Sequence, residues 1–162
     1  MKSRIYHLIQ SLEHVMQGTP WYGDSVMEKL EQMDIRLVNE VPAGLTNSIA
    51  RLVKHMISWR LFAIEKLNGN AAYDIRINTH EDWPEITIQT NEQWRHLLKE
   101  LHDTQDQLFT QLRARNEEDL EQPCLGKSYS LGFLVEGILQ HDVYHLGQIA
   151  LIEKILVSDP RS

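Results

Sequence analysis

The chain has 162 residues, which is short enough for one domain over 1–162 and long enough to bury a core without cross-links. Its net charge of −7, without a basic patch or stripe, argues against nucleic acid as a partner. The single cysteine, Cys124, excludes an internal disulfide. Because we find no membrane-length apolar run and no signal-peptide pattern, we expect a cytoplasmic protein without a membrane partner.

Two helices are predicted in the first third of the chain. Residues 3–17 place apolar side chains at helical spacing, and Gly18-Thr19-Pro20 ends that helix. A short extra helix near 24–33 begins at Ser25, which has capping-box spacing to Glu28. Trp21 and Tyr22 precede it. They are either a packed plug or the wall of a ligand pocket, which aromatic side chains commonly line.

A central helix is predicted over residues 47–68 because it is apolar on more than one side. Leu52, His55 and Trp59 follow one another at helical steps along one of its apolar stripes. His55 therefore faces the core, and Trp59 is a second candidate for a pocket wall.

Residues 69–89 show little helical pattern, with Ile86-Thr87-Ile88 as a possible short extended piece. They are long for a bundle connection, which usually has about 2–8 residues. We therefore expect a crossover that joins two helices running in the same direction. Such a loop can cover a site, so Trp83 is a candidate lid residue. The next helix, about 90–116, begins with capping-box spacing between Thr90 and Gln93, and Glu117 to Gly126 is expected to be a polar linker.

The last helix, about 128–157, carries an apolar stripe whose middle positions are His141 and His145. Histidines four residues apart lie on one face of a helix, one turn from each other. Two imidazoles on a buried seam need partners, because burying an unpaired polar group is costly. Two readings remain open: a shared metal ion, or core histidines that hydrogen-bond within the protein.

The eight histidines can be separated by the helical face on which they lie. Three face a core, namely His55, His141 and His145; His102 is at a flank, and the other four point outward or lie in a loop: His7, His14, His80 and His96. Three neutral imidazoles suit zinc or nickel, with iron or manganese as further choices, and leave coordination positions open for catalysis. Asp142 lies beside the stripe, either orienting an imidazole or bonding to another neighbour.

The segment His141-Asp142-Val143-Tyr144-His145-Leu146-Gly147-Gln148-Ile149 resembles the HDxYHxGQI signature of the DinB-like superfamily. Trp21-Tyr22-Gly23-Asp24-Ser25-Val26 is similar to the WxGxS segment of that family. The stretch from Asn47 to Trp59 is similar to its second bundle helix, and Asp82-Trp83-Pro84 to its crossover loop. The resemblance covers nearly the whole chain.

The resemblance implies an all-α four-helix bundle in up-down-down-up order, with a long crossover between bundle helices 2 and 3. It also implies one divalent metal ion held by His55, His141 and His145, and frequently a homodimer. We therefore expect a metal-dependent hydrolase that acts on a small molecule through a metal-activated water. Two alternatives remain: a transferase that uses a low-molecular-weight thiol such as bacillithiol, mycothiol or glutathione, and a non-enzymatic bundle with a structural metal.

Overall fold

A computed structural model describes residues 3–158, and all regular elements in that range are helical. The α-helices are α1 (Arg4–Met16), α2 (Val26–Glu31), α3 (Ile49–Leu67), α4 (Asn91–Arg113) and α5 (Leu131–Ser158). This confirms the predicted all-α class and the short extra helix. Residues 1, 2 and 159–162, which belong to the predicted domain, lie outside the described range. Among residues 3–158, none of the helices combines the length and the apolar character of a membrane-spanning segment.

The four long helices form a bundle. α3 packs against α4 and α5, and α1 packs against the same two helices from the other side, while α2 lies against α1, α4 and α5. The connection from α3 to α4 covers residues 68–90, so the long segment lies between the second and third bundle helices, as predicted. It contains no strand, and Ile86-Thr87-Ile88 is irregular.

Side-chain caps set where several helices begin. Thr90 and Gln93 form the full capping box at the start of α4, as predicted. At α2 the Ser25 hydroxyl accepts from the backbone N–H of Glu28 at 3.4 Å. Ser48 caps α3 in the same way, through the N–H of Arg51. Capping serines and threonines therefore mark these N-termini well.

The segment between α4 and α5 is more ordered than the predicted linker. Glu117–Glu121 forms a 3-10 helix. Two backbone hydrogen bonds then close a loop: Cys124 N–H donates to the Tyr129 carbonyl at 2.8 Å, and Leu131 N–H to the Gln122 carbonyl at 3.0 Å. Because this loop occupies the backbone up to residue 130, α5 begins at Leu131, later than predicted.

A polar layer crosses the middle of the bundle and separates two apolar clusters. It consists of Arg60 on α3, Thr104 and Gln105 on α4, and Asp142 on α5, all buried. The two apolar clusters meet this layer from opposite ends of the bundle. The three core-facing histidines lie beside it, between α3 and α5.

Candidate metal centre

The three core-facing histidines meet at one point between α3 and α5. His141 Nε2 lies 3.0 Å from His55 Nε2 and 3.0 Å from His145 Nε2. All three potential ligand atoms lie within 4.8 Å of one another. His55 and His145 are buried, and His141 is partly exposed. The helical spacing of the sequence thus brings the predicted triad together.

In two of the imidazoles, Nδ1, the ring nitrogen that points away from the cluster, has a hydrogen-bond acceptor. His55 Nδ1–H donates to the main-chain carbonyl of Asp82 at 2.6 Å. His145 Nδ1–H donates to the side-chain oxygen of Gln148, also at 2.6 Å. Because these oxygens only accept, both rings carry their proton on Nδ1 and turn an unprotonated Nε2 toward the cluster. Such outer hydrogen bonds are typical of metal-binding histidines.

The electrostatics of the cluster keep the imidazoles neutral at pH 7. Burial lowers the pKa of His141 to about 3, helped by the neighbouring imidazoles of His145 and His55. Burial likewise lowers the pKa of His145 to about 4. It also lowers the pKa of His55, against the opposing effect of Asp82. Neutral imidazole is the form that binds a metal ion.

The donor set fits a divalent cation better than a set of mutual hydrogen bonds. His55 and His145 both present lone pairs, whereas His141 Nε2 can donate at most one hydrogen to them. In at least one of the two 3.0 Å contacts, the lone pairs of two Nε2 atoms therefore face each other without a hydrogen between them. The buried His141 Nδ1 has no hydrogen-bond partner among the described residues. A cation among the three Nε2 atoms removes this repulsion, which favours the metal reading of the sequence.

The crossover connection is attached to the cluster through Asp82 and Trp83. The Trp83 ring stacks on His55, with centroids 3.7 Å apart and planes 7° from parallel. The Asp82 carboxylate accepts from Trp59 Nε1 at 2.8 Å and from the N–H of Asn78 at 2.8 Å. Trp59 and Trp83 therefore both lie beside the histidines.

Asp82 and Gln148 were not among the site residues predicted from the sequence. A signal for Gln148 was its position one helical turn after His145, where side chains on a helix meet. For Asp82 the signal was its place in the Asp82-Trp83-Pro84 match, although a carbonyl contact across a loop has no local pattern.

Asp142 is bonded to Arg60. The Asp142 carboxylate accepts from Arg60 Nη2 at 2.6 Å and from Arg60 Nε at 3.2 Å, and both side chains are fully buried. Arg60 Nη1 donates further to Gln105 at 2.9 Å and to Thr104 at 3.4 Å. The hydrogen bonds of Asp142 thus belong to the polar layer, which matches the second of its two sequence-based readings.

Trp21 and Tyr22 lie in a neighbouring groove of about 760 Å³ between the end of α1 and α5. Trp21 is completely exposed. Tyr144 also lines this groove, and its ring meets His145 edge-on with centroids 5.0 Å apart. Of the remaining histidines, His102 is half-buried and lies 3.8 Å from Asp106, and the other four are exposed: His7, His14, His80 and His96.

Comparison with known proteins gives one family match. No curated protein and no solved structure matches the chain. A family model described as the DinB superfamily matches residues 24–149, a range that includes α2, α3, α4 and all three histidines of the cluster. The chain belongs to the DinB superfamily.

Proposed function

We propose that the protein is a metal-dependent hydrolase acting on a small molecule, with one divalent ion held by His55, His141 and His145. The observation that carries this proposal is the convergence of three imidazole Nε2 atoms, those of His55 and His145 being unprotonated. Three protein ligands leave coordination positions for water or substrate, as in catalytic zinc sites. Imidazole ligands suit zinc or nickel.

The bound ion would lower the pKa of a water molecule toward about 7 and polarise a substrate oxygen. The residues of the chain orient and shield this centre. Asp82 and Gln148 hold the rings of His55 and His145, and Trp83 covers one face of His55. Since all three ligands are neutral, the ion keeps its full charge, which favours an anionic group as the next ligand.

A metal-dependent thiol transferase is the second candidate, and the engagement of the nearby carboxylates favours it. Asp142 is paired with Arg60, and Asp82 accepts from Trp59 and Asn78. Neither carboxylate is free to act as a general base. A thiol, with an ordinary pKa of about 8.5, needs less help than water to lose its proton near a metal ion.

Single His55→Ala, His141→Ala and His145→Ala variants test the site by elemental analysis. We expect each to lose stoichiometric metal, whereas His96→Ala, which changes an exposed histidine, should retain it. If all three cluster variants keep stoichiometric metal, the proposed ligand set is wrong.

Turnover assays of the metal-loaded protein distinguish the reactions. Cleavage of esters or amides without added thiol supports the hydrolase. Metal-dependent conjugation of an electrophile to glutathione, bacillithiol or mycothiol supports the transferase. Neither activity, combined with a large loss of stability on chelation and no exchangeable water on the metal, supports a structural metal.

We further propose a homodimer that works in the cytoplasm. The buried, unpaired Cys124 fits a reducing compartment. Large apolar side chains exposed on α5, such as Phe133 and Leu151, support the homodimer.

A further inference from the structure

A polar cleft of about 550 Å³ lies between the start of α3 and the crossover connection. Most of the side chains that line it can donate hydrogen bonds, and these are Thr46, Asn47, Arg51, Asn78, Thr79 and His80. Trp83 and Glu85 complete the wall. Ligand pockets are usually lined mainly by apolar side chains with a few polar groups. The lining of this cleft therefore indicates a hydrophilic ligand.

Arg51 carries the positive charge of the cleft, and one of its nitrogens lacks a partner. Arg51 Nη2 donates to the Glu85 carboxylate at 3.0 Å and to the main-chain carbonyl of Trp83 at 3.4 Å. Arg51 Nε is buried and has no hydrogen-bond partner among residues 3–158. Buried polar atoms are nearly always hydrogen-bonded, so an unpaired nitrogen of a charged group requires an explanation.

Arg60 shows how the same edge of a guanidinium is used when its carboxylate partner is fixed. Arg60 Nε and Nη2 both donate to Asp142, at 3.2 Å and 2.6 Å. At Arg51 the corresponding edge contacts a carboxylate through Nη2 alone. That carboxylate belongs to Glu85, whose side chain is 76% exposed, and such surface pairs are weak. One of the two hydrogen bonds that the Arg51 edge can donate is therefore unused.

We infer that this cleft binds the oxyanion group of a small molecule, a carboxylate or a phosphate, which displaces Glu85 and accepts from both Nε and Nη2 of Arg51. The planar guanidinium matches two oxygens of either group. The side chains of Thr46, Asn47 and Asn78 line the same cleft and can donate to the remaining oxygens. Glu85 moves into solvent when the ligand enters.

The cleft lies next to the metal centre. Arg51 precedes His55 by four residues on α3, which is about one helical turn, or roughly 6 Å along the axis. Trp83 contacts both residues: its ring stacks on His55, and the ring centroid lies 6.0 Å from the guanidinium carbon of Arg51. A substrate with its oxyanion at Arg51 would carry its reacting bond about one helical turn away. Only the role of the ligand as substrate rests on the proposed function, because the oxyanion site itself does not need the metal.

An NMR titration of the full chain with acetate and with inorganic phosphate, at constant ionic strength, tests the inference. The metal is first removed by chelation, because a bound ion would itself attract the anions. The net charge of −7 disfavours non-specific anion binding. We expect at least one anion to shift the indole resonance of Trp83 to saturation. Trp21, in the groove between α1 and α5, should not respond. The anion that binds more tightly identifies the oxyanion that the cleft prefers.

Three variants of the cleft should change the affinity in different ways. Arg51→Gln should weaken binding about 10- to 100-fold, because hydrogen bonds to a charged group are lost. Arg51→Lys keeps the charge but not the edge with two nitrogens, so it should also bind more weakly than the wild type. Glu85→Gln should instead tighten binding, by up to about fivefold, because the carboxylate that occupies Arg51 is removed.

Lys54→Gln is the matched control for the loss of charge. Lys54 lies on the same helix as Arg51, its side chain has the same exposure of 29%, and it pairs with Glu100 outside the cleft. This variant should bind the anions like the wild type. Thermal melts check that each variant is folded. Because Glu85 is largely exposed, Glu85→Gln keeps the test decisive if Arg51→Gln does not fold.

Four results would overturn the inference. The first is the absence of a saturable shift with either anion, and the second is wild-type affinity in Arg51→Gln or Arg51→Lys. The third is weaker binding by Glu85→Gln, because Glu85 would then support the site rather than occupy it. The fourth is a loss in Lys54→Gln as large as in Arg51→Gln, which would reflect overall charge. Since metal content does not enter this measurement, the inference and the proposed function can fail separately.

Discussion

The buried ion pair between Arg60 and Asp142 gives the sharpest stability prediction. Both side chains are fully buried, and their contact has two hydrogen bonds. Asp142→Ala leaves the guanidinium of Arg60 in the bundle interior with only the neutral acceptors Gln105 and Thr104. An uncompensated buried charge costs about 3–5 kcal/mol. For a domain of this size that lowers Tm by roughly 6–20 °C.

The double variant Arg60→Met with Asp142→Leu separates the ion pair from the packing. Apolar replacement of both partners of a buried pair is often neutral or stabilising. Here Gln105 also loses its donor, which costs about 1–3 kcal/mol. We therefore expect the double variant to be more stable than Asp142→Ala but no more stable than the wild type.

Urea unfolding of the metal-free protein, followed by circular dichroism, measures these differences without a contribution from metal binding. Glu153→Ala is the matched control on α5, because its partner Lys29 is partly exposed and such a pair is worth at most about 1 kcal/mol. If Asp142→Ala costs no more than this control, or if the stability loss of the double variant equals the summed losses of the single variants Arg60→Met and Asp142→Leu, the ion pair does not hold the polar layer together.

Three further predictions concern the metal centre. Gln148→Leu should lower metal affinity about 10- to 100-fold in a chelator competition assay, because the Nδ1–H of His145 loses its acceptor. Asp82→Ala should lower affinity less than Gln148→Leu does, because the main-chain carbonyl remains. It should still lower Tm, because Trp59 loses the acceptor for its indole N–H. The metal-free protein should lose stability as the pH falls below about 6.5, the pKa of histidine in the unfolded chain. Below that pH the unfolded chain binds protons, whereas His145 and His141 in the folded protein stay neutral until about pH 4 and about pH 3. Each such histidine contributes about 1.4 kcal/mol per pH unit to the slope of the unfolding free energy against pH, which urea titrations measure. His141→Gln should therefore make this slope less steep.

Each of these predictions has a contrary result. Equal affinity of Gln148→Leu and the wild type would mean that the outer hydrogen bond does not orient His145. A larger affinity loss for Asp82→Ala than for Gln148→Leu would mean that the Asp82 carboxylate, rather than its main-chain carbonyl, orients His55. A slope unchanged in His141→Gln would assign the acid sensitivity to other groups.

Helical periodicity carried most of the successful prediction. It placed His55, His141 and His145 on core-facing stripes of two helices, and packing of α3 against α5 then brings those stripes together. Capping residues such as Thr90 located helix starts to within about two residues. These features depend on neighbours along the chain, so the sequence displays them directly.

The missing parts of the site depend on contacts between distant segments. The carbonyl of Asp82 reaches His55 across the connection after α3, and Arg60 meets Asp142 from another helix. Neither contact leaves a periodic pattern. Arg60 did offer a signal, since a charged residue inside a helix that is apolar on several sides must find a buried partner. The exposure of Tyr144 and Leu151 likewise depended on knowing that no element of residues 3–158 packs over them.

The acceptor for His55 is a main-chain oxygen, and this affects how the centre tolerates mutation. No substitution at residue 82 deletes a carbonyl group, so the nearer acceptor of His55 Nδ1, at 2.6 Å, depends on the path of the backbone, whereas the Asp82 carboxylate, at 3.1 Å, depends on the side chain. The tautomer of His145, in contrast, depends on one amide side chain, Gln148. Random mutagenesis selected for metal retention should therefore accept more residues at position 82 than at position 148.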